Sequence, residues 1–153
     1  MLAESLNIVL YNQKVNKLYN LKSETITKKY GLHKIEFEIL YFLHTTCLNR
    51  AKDIAQNTYF SKAHISNAIE SLSKNGYLVC IHDSTDKRCI RLKLTDKATD
   101  IIKEIQSFYQ HMIKIMFNGV SEEEKISLER ILKKMSNNMN DEFFNKIDTQ
   151  KRR

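Results

Sequence analysis

The sequence predicts a mostly α-helical chain with one small β-hairpin, an α+β arrangement, and three observations lead to it. There is no proline and only three glycines in 153 residues, which suits helix interiors, since both residues destabilise them. Apolar residues recur at helical spacing through six stretches. Between residues 77 and 94 the period changes to two on either side of a polar turn.

The first helix is expected from about Ser5 to Tyr30, with Leu6, Leu10, Val15, Leu18 and Leu21 at approximate helical spacing. A shorter helix carrying Phe37, Ile39, Leu40, Phe42 and Leu43 is apolar on more than one side and so reads as buried. Lys52–Asn57 forms a third, around Ile54-Ala55. Ser61–Asn75 forms a fourth: Ser61 is its N-cap, and Phe60 and Ile65 hold the N′ and N4 positions of a hydrophobic staple. Ile65, Ala68, Ile69 and Leu72 make its inward face. Tyr77, Val79 and Ile81 alternate in one strand, and Ile90, Leu92 and Leu94 in another. Thr95 is expected to N-cap a long helix striped with Ile101, Ile105, Phe108, Met112 and Met116. Ser121-Glu122-Glu123-Glu124 is a capping box opening a last helix with Leu128, Ile131, Leu132, Met135, Met139 and Phe143. Gly31, Gly76 and Gly119 each follow a helical pattern, at the position where a left-handed residue ends a helix.

The chain has 42% apolar and 28% charged residues, within the globular range. No apolar run approaches the roughly 18 residues that cross a bilayer. The N-terminus lacks a secretory pattern, so no membrane partner and a cytoplasmic location are expected. The net charge of +7 is uneven. Residues 1–50 and 51–93 each hold seven Lys/Arg against four Asp/Glu, whereas residues 94–153 hold eleven against ten. Positive charge on the first two thirds points to a polyanionic partner.

A short helix, a tight connection, a second capped helix and a hairpin together make a winged helix-turn-helix, bounded by Lys52 and Thr95. A helix of ordinary diameter fits the major groove of B-DNA, and its outward residues must be small or polar to approach base edges. On Ser61–Asn75 those residues are Lys62, Ala63, His64, Ser66 and Asn67. Asn67 can read an adenine edge, and Ser66, Lys62 and Ser61 can hold phosphate. Ala63 allows close approach or meets a thymine methyl, and His64 flanks them. The turn residues Lys87 and Arg88 can reach the adjacent minor groove. The expected partner is double-stranded DNA.

At these residues the sequence resembles the MarR family of transcription regulators. Ser61-Lys62-Ala63-His64-Ile65-Ser66-Asn67 through Gly76-Tyr77-Leu78 is similar to that family's recognition helix and first wing strand. Asp83-Ser84-Thr85-Asp86-Lys87-Arg88 followed by Leu92-Lys93-Leu94-Thr95 resembles its wing signature. The resemblance implies a homodimer, with long N- and C-terminal dimerisation helices (1–30 and 95–149), a DNA-binding lobe at 31–94 and a basic tail at 150–153. It also implies a pseudo-palindromic site, most often repression, and relief by a small hydrophobic or aromatic effector or by a chemical signal. Arg88 matches the wing-tip arginine and Asp86 the acid that shapes the wing. Asn67, Cys80 and Ala98 depart from the pattern, standing where the family often has arginine, a basic residue and glycine.

Other readings stay open beside this one. The basic surface also suits a winged-helix protein-interaction module. Cys47, Cys80 and Cys89 lack the spacing of a disulfide framework or a C-x-x-C pair. They offer a thiol sensor, Cys80 and Cys89 facing each other only in a suitable hairpin register. Glu24, Glu38 and His111 offer metal ligands, although no preformed zinc spacing is legible. No glycine-rich phosphate loop or nucleophile elbow is present, so neither an enzyme nor a cofactor is expected.

Overall fold

The computed structural model describes residues 2–82 and 90–151. Its elements run α1 (Leu2–Tyr30), α2 (Lys34–Thr45), α3 (Ala51–Asn57), α4 (Lys62–Lys74), β1 (Leu78–His82), β2 (Ile90–Leu94), a 3-10 turn (Asp96–Ala98), α5 (Thr99–Met116) and α6 (Glu122–Lys151). The chain divides into two compact units, residues 1–112 and 113–153. The three glycines sit at φ of 64°, 77° and 80°, where a side chain would be strained.

The first unit has one core. Phe37, Ile39 and Leu40 of α2, Ile54 of α3, Ile65, Ala68, Ile69 and Leu72 of α4, and Ile101, Ile105, Phe108 and Met112 of α5 are all buried in it. Each large aliphatic side chain so enclosed contributes about 1.5–3 kcal/mol. Tyr19 and Tyr30 of α1 pack against this core. Lys29 and Tyr30 both donate to Glu104 Oε1 of α5, at 2.5 and 2.8 Å. Earlier on α1, Ile8, Val9, Leu10 and Tyr11 are exposed.

The expected strands form an antiparallel pair in which Cys80 lies opposite Leu92 and His82 opposite Ile90. The alternation of Tyr77, Val79 and Ile81 does not mark a buried face. On β1 only Leu78 is buried, and on β2 only Leu92. The two buried residues share one face of the pair, since Leu78 lies opposite Leu94 and Leu92 opposite Cys80, so Val79 and Ile81 on the other face are exposed. Asn49 adds an edge contact, its carbonyl accepting from Leu92 N–H at 2.7 Å.

Thr95 also departs from expectation. It holds the N-cap position of the 3-10 turn, but its hydroxyl makes no cap bond; instead it donates to Gly76 O at 2.6 Å. By contrast, Ser121 caps α6 as expected: Glu124 N–H donates to Ser121 Oγ at 3.3 Å and Ser121 N–H to Glu124 Oε2 at 2.8 Å. In the second unit no residue from 113 to 139 is buried. Ile126, Leu128, Ile131, Leu132, Met135 and Met139 lie exposed along α6.

Candidate nucleic-acid interface

The interface is built on α3, α4 and the hairpin. α3 is held at both ends by side chains. At its start Arg50 donates from Nε, Nη2 and its backbone N–H to the Asp53 carboxylate, at 3.0, 2.9 and 3.0 Å. At its end Asn57 donates to Asp53 O and Thr58 to Ile54 O, each at 2.8 Å. Satisfying these carbonyls lets the chain leave the helix abruptly, so residues 58–61 make the tight turn. The Arg50 side chain holds the Asp53 carboxyl below the usual carboxylate range, with help from the Arg50 and Asn49 backbone, while burial pushes it up.

A depressed folded pKa gives stability that is full above the ordinary carboxylate value of about 4 and is lost as pH falls through the folded value. Urea midpoints should therefore drop more steeply on acidification below about pH 5 in the native chain than in Asp53→Asn. Parallel curves would show that this pair contributes nothing to the lobe.

α4 begins as its sequence requires, with His64 N–H donating to Ser61 Oγ at 3.3 Å. Ile65, Ala68, Ile69 and Leu72 face inward and are buried. Ser61, Lys62, Ala63, His64, Ser66 and Asn67 are all exposed, so the expected contact residues share the outward face. A groove follows each flank of the helix. One, of about 520 Å³, is lined by Lys52, Lys62, Ser66, Cys80, Ile90 and Leu92. The other, of about 380 Å³, is lined by His33, Phe60, His64, Asn67 and Ser71. α4 therefore stands proud between two hollows, with a polar end free to enter a groove of DNA. Asp86, Lys87, Arg88 and Cys89 lie outside the described residues. The strand register sets Leu92 opposite Cys80. Cys47 and Cys80 are exposed free thiols.

Two groupings escaped the sequence reading. The Arg50–Asp53 clamp had a visible signal, an acid three residues after a base at a helix start. The other is a cluster of rings: Tyr19 donates to Glu38 Oε1 at 2.7 Å and lies 3.0 Å from the Tyr109 hydroxyl. Tyr109 stacks on Tyr41 at 3.7 Å between centroids. Burial, more than any other cause, raises the phenols of both Tyr19 and Tyr109 well above the ordinary tyrosine value. The metal trio is not assembled: Glu38 is engaged by Tyr19, and Glu24 pairs with Lys28 at 2.7 Å. Among the described residues no three His, Cys, Asp or Glu side chains come together as a metal site. Nor, among them, is any helix long and apolar enough to cross a membrane.

Residues 32–98 match the family description "Winged helix DNA-binding domain". The HTH-type transcriptional regulator YkoM of Bacillus subtilis, itself uncharacterized, is 30% identical over 108 residues, covering 71% of this chain and 70% of that protein. A MarR protein of Peptoclostridium difficile is 27% identical with a TM-score of 0.76, covering 91% of each chain. A MarR-family regulator of Listeria monocytogenes, solved with a 26-mer DNA, shares the fold at a TM-score of 0.74 and 20% identity, over 89% of this chain and 88% of that one. The exposed face of α4, the hairpin beside it and these likenesses over most of the chain agree: the chain belongs to the MarR family of winged-helix, DNA-binding transcription regulators.

Proposed function

We propose that the chain acts as a homodimeric repressor that seats two winged lobes on successive major-groove faces of a pseudo-palindromic operator. The outward face of α4 carries this reading: six small or polar side chains, all exposed, at the start of a capped helix. Asn67 reads an adenine edge, Ala63 meets a thymine methyl, and Ser61, Lys62 and Ser66 hold the backbone, with His64 beside them. Lys87 and Arg88 enter the minor groove, with Asp86 shaping the loop between the strands; these three roles rest on the sequence. The Listeria relative bound to DNA supports the same use of the fold.

Dimerisation is supported by the second unit, whose apolar side chains find no core of their own through residue 139. An apolar stripe of that length calls for a partner surface, and a second copy supplies one by symmetry. A small hydrophobic or aromatic effector releases the DNA. The ring cluster of Tyr19, Tyr41, Phe108 and Tyr109 supports this, because it joins α1, α2 and α5 around a single carboxylate.

Selection from a random duplex library should enrich an inverted repeat with half-site centres about one helical turn apart, bound with a Kd on the order of nanomolar at physiological salt. Enrichment of no repeat overturns the proposal. Asn67→Ala should lower affinity for the enriched duplex by roughly 30-fold or more, because the dimer loses one bidentate base contact of about 1–3 kcal/mol in each half-site. It should also relax preference at one base pair per half-site while leaving the thermal midpoint alone. An unchanged base preference would remove Asn67 from the reading face.

A further inference from the structure

The corner where α4 hands over to the hairpin is held by side chains to which DNA contact gives no role. α4 closes with Tyr77 N–H bonded to Leu72 O and Gly76 N–H to Ser73 O, both at 2.9 Å. This is the paired closure that a left-handed glycine permits, and Gly76 has φ +77°. The next three carbonyls, those of Asn75, Gly76 and Tyr77, would otherwise face outward. All three are taken by one short segment from elsewhere in the chain. Lys97 Nζ donates to Asn75 O at 2.8 Å, Thr95 Oγ1 to Gly76 O at 2.6 Å, and Thr95 N–H to Tyr77 O at 3.1 Å. The Lys97 ammonium also lies over the Tyr77 ring, 5.1 Å from its centroid, and its charge suits the negative end of α4.

We infer that Thr95 and Lys97 are positioning residues that fix the angle of the reading helix relative to the hairpin. The inference rests on α4 being that helix. Thr95 sits between the end of β2 and the turn into α5, and Tyr77 sits between α4 and β1. One threonine thus ties the helix exit to both strands at the base of the wing. Geometry makes the tie consequential. α4 has 13 residues, about 20 Å at 1.5 Å each. A tilt of about 5° at its C-terminal end would shift its N-terminal contact residues by roughly 1.7 Å over that length, whereas a working site tolerates about 0.5 Å. Threonine in an N-cap position ordinarily accepts from the helix that follows. Here its hydroxyl proton is directed back to the helix that reads.

The test uses the full chain with Thr95→Val and Thr95→Ser, and with Lys97→Met and Lys97→Arg. Binding is measured to the duplex that the unaltered chain selects and to a random duplex of equal length, across a salt series. Thr95→Val should lose about tenfold on the selected duplex, a change of about 1.4 kcal/mol, and little on the random one. Thr95→Ser should restore binding, because it returns the donor. Lys97→Met should lose less, with Lys97→Arg restoring it. The slope of log K against log salt should stay unchanged in all four, since no phosphate contact is removed. Equal losses on both duplexes, failure of serine to rescue, or a slope reduced by about one in Lys97→Met would each overturn the inference. If the unaltered chain prefers no duplex, the reading-helix assignment fails by itself. Amide hydrogen exchange then decides the corner: faster exchange confined to Gly76 and Tyr77 in Thr95→Val upholds the clamp, and unchanged exchange overturns it.

Discussion

A chain carrying Leu132→Glu is expected to run as an 18.0 kDa monomer and to lose affinity for a two-half-site operator by about 100-fold or more. Leu132 is 51% exposed and shares one face of α6 with Leu128 and Met135. A carboxylate set into the middle of an apolar contact must be desolvated without a partner, which costs far more than an isolated helix pair gains from the contact. Two lobes on one dimer convert the second half-site encounter into an intramolecular event, and that linkage multiplies affinity by roughly 10²–10⁴. Light scattering gives the mass, and titration against a single half-site duplex gives the control. The expected pattern is a monomer with unchanged half-site affinity and a large loss on the full operator. A variant that stays dimeric and binds fully would show that this face of α6 is not the contact.

The second large effect falls on the core of the first unit. Phe37 is 0% exposed. It meets Phe108 edge-on at 5.5 Å between ring centroids, and Tyr19 and Tyr109 at 6.3 and 6.1 Å. Phe37→Ala removes a buried ring and leaves a cavity, a loss of about 3–5 kcal/mol against a total stability of roughly 5–15 kcal/mol for a small domain. A large part of the folded margin should disappear, and the urea midpoint should fall with little change in slope. Phe37→Leu should recover a large part of it. A loss below about 1 kcal/mol in the alanine variant would contradict tight packing at this position.

Local chemistry made several features legible in the sequence. Ser61 and Ser121 announced their helices through hydroxyls that need only residues three positions away. Gly31, Gly76 and Gly119 each ended a helix where a positive φ was required. The inward face of α4 followed from Ile65, Ala68, Ile69 and Leu72 alone. What escaped depended on distant partners. Thr95 has the composition of a cap, but its proton acceptor is a carbonyl 19 residues earlier, which no local pattern specifies. The alternation of Val79 and Ile81 was real, yet which of the two faces is buried depends on how the pair docks on the core. Leu78 and Leu92 are on the docked face, whereas Val79, nearer the base than Leu92, is on the opposite one and is exposed. The contact of Tyr19 with Glu38 and Tyr109 joins three helices, so helical periodicity could place each ring on a face without pairing them.

The bare surfaces of residues 113–139 carry a consequence for the cell. In the proposed homodimer these residues acquire an interior only when a second copy arrives, so the law of mass action enters folding. Dilution then works as a denaturant: thermal midpoints rise with protein concentration, and chains made at low copy number stay open to proteolysis until they meet. The abundance of the regulator thereby becomes one of its structural parameters.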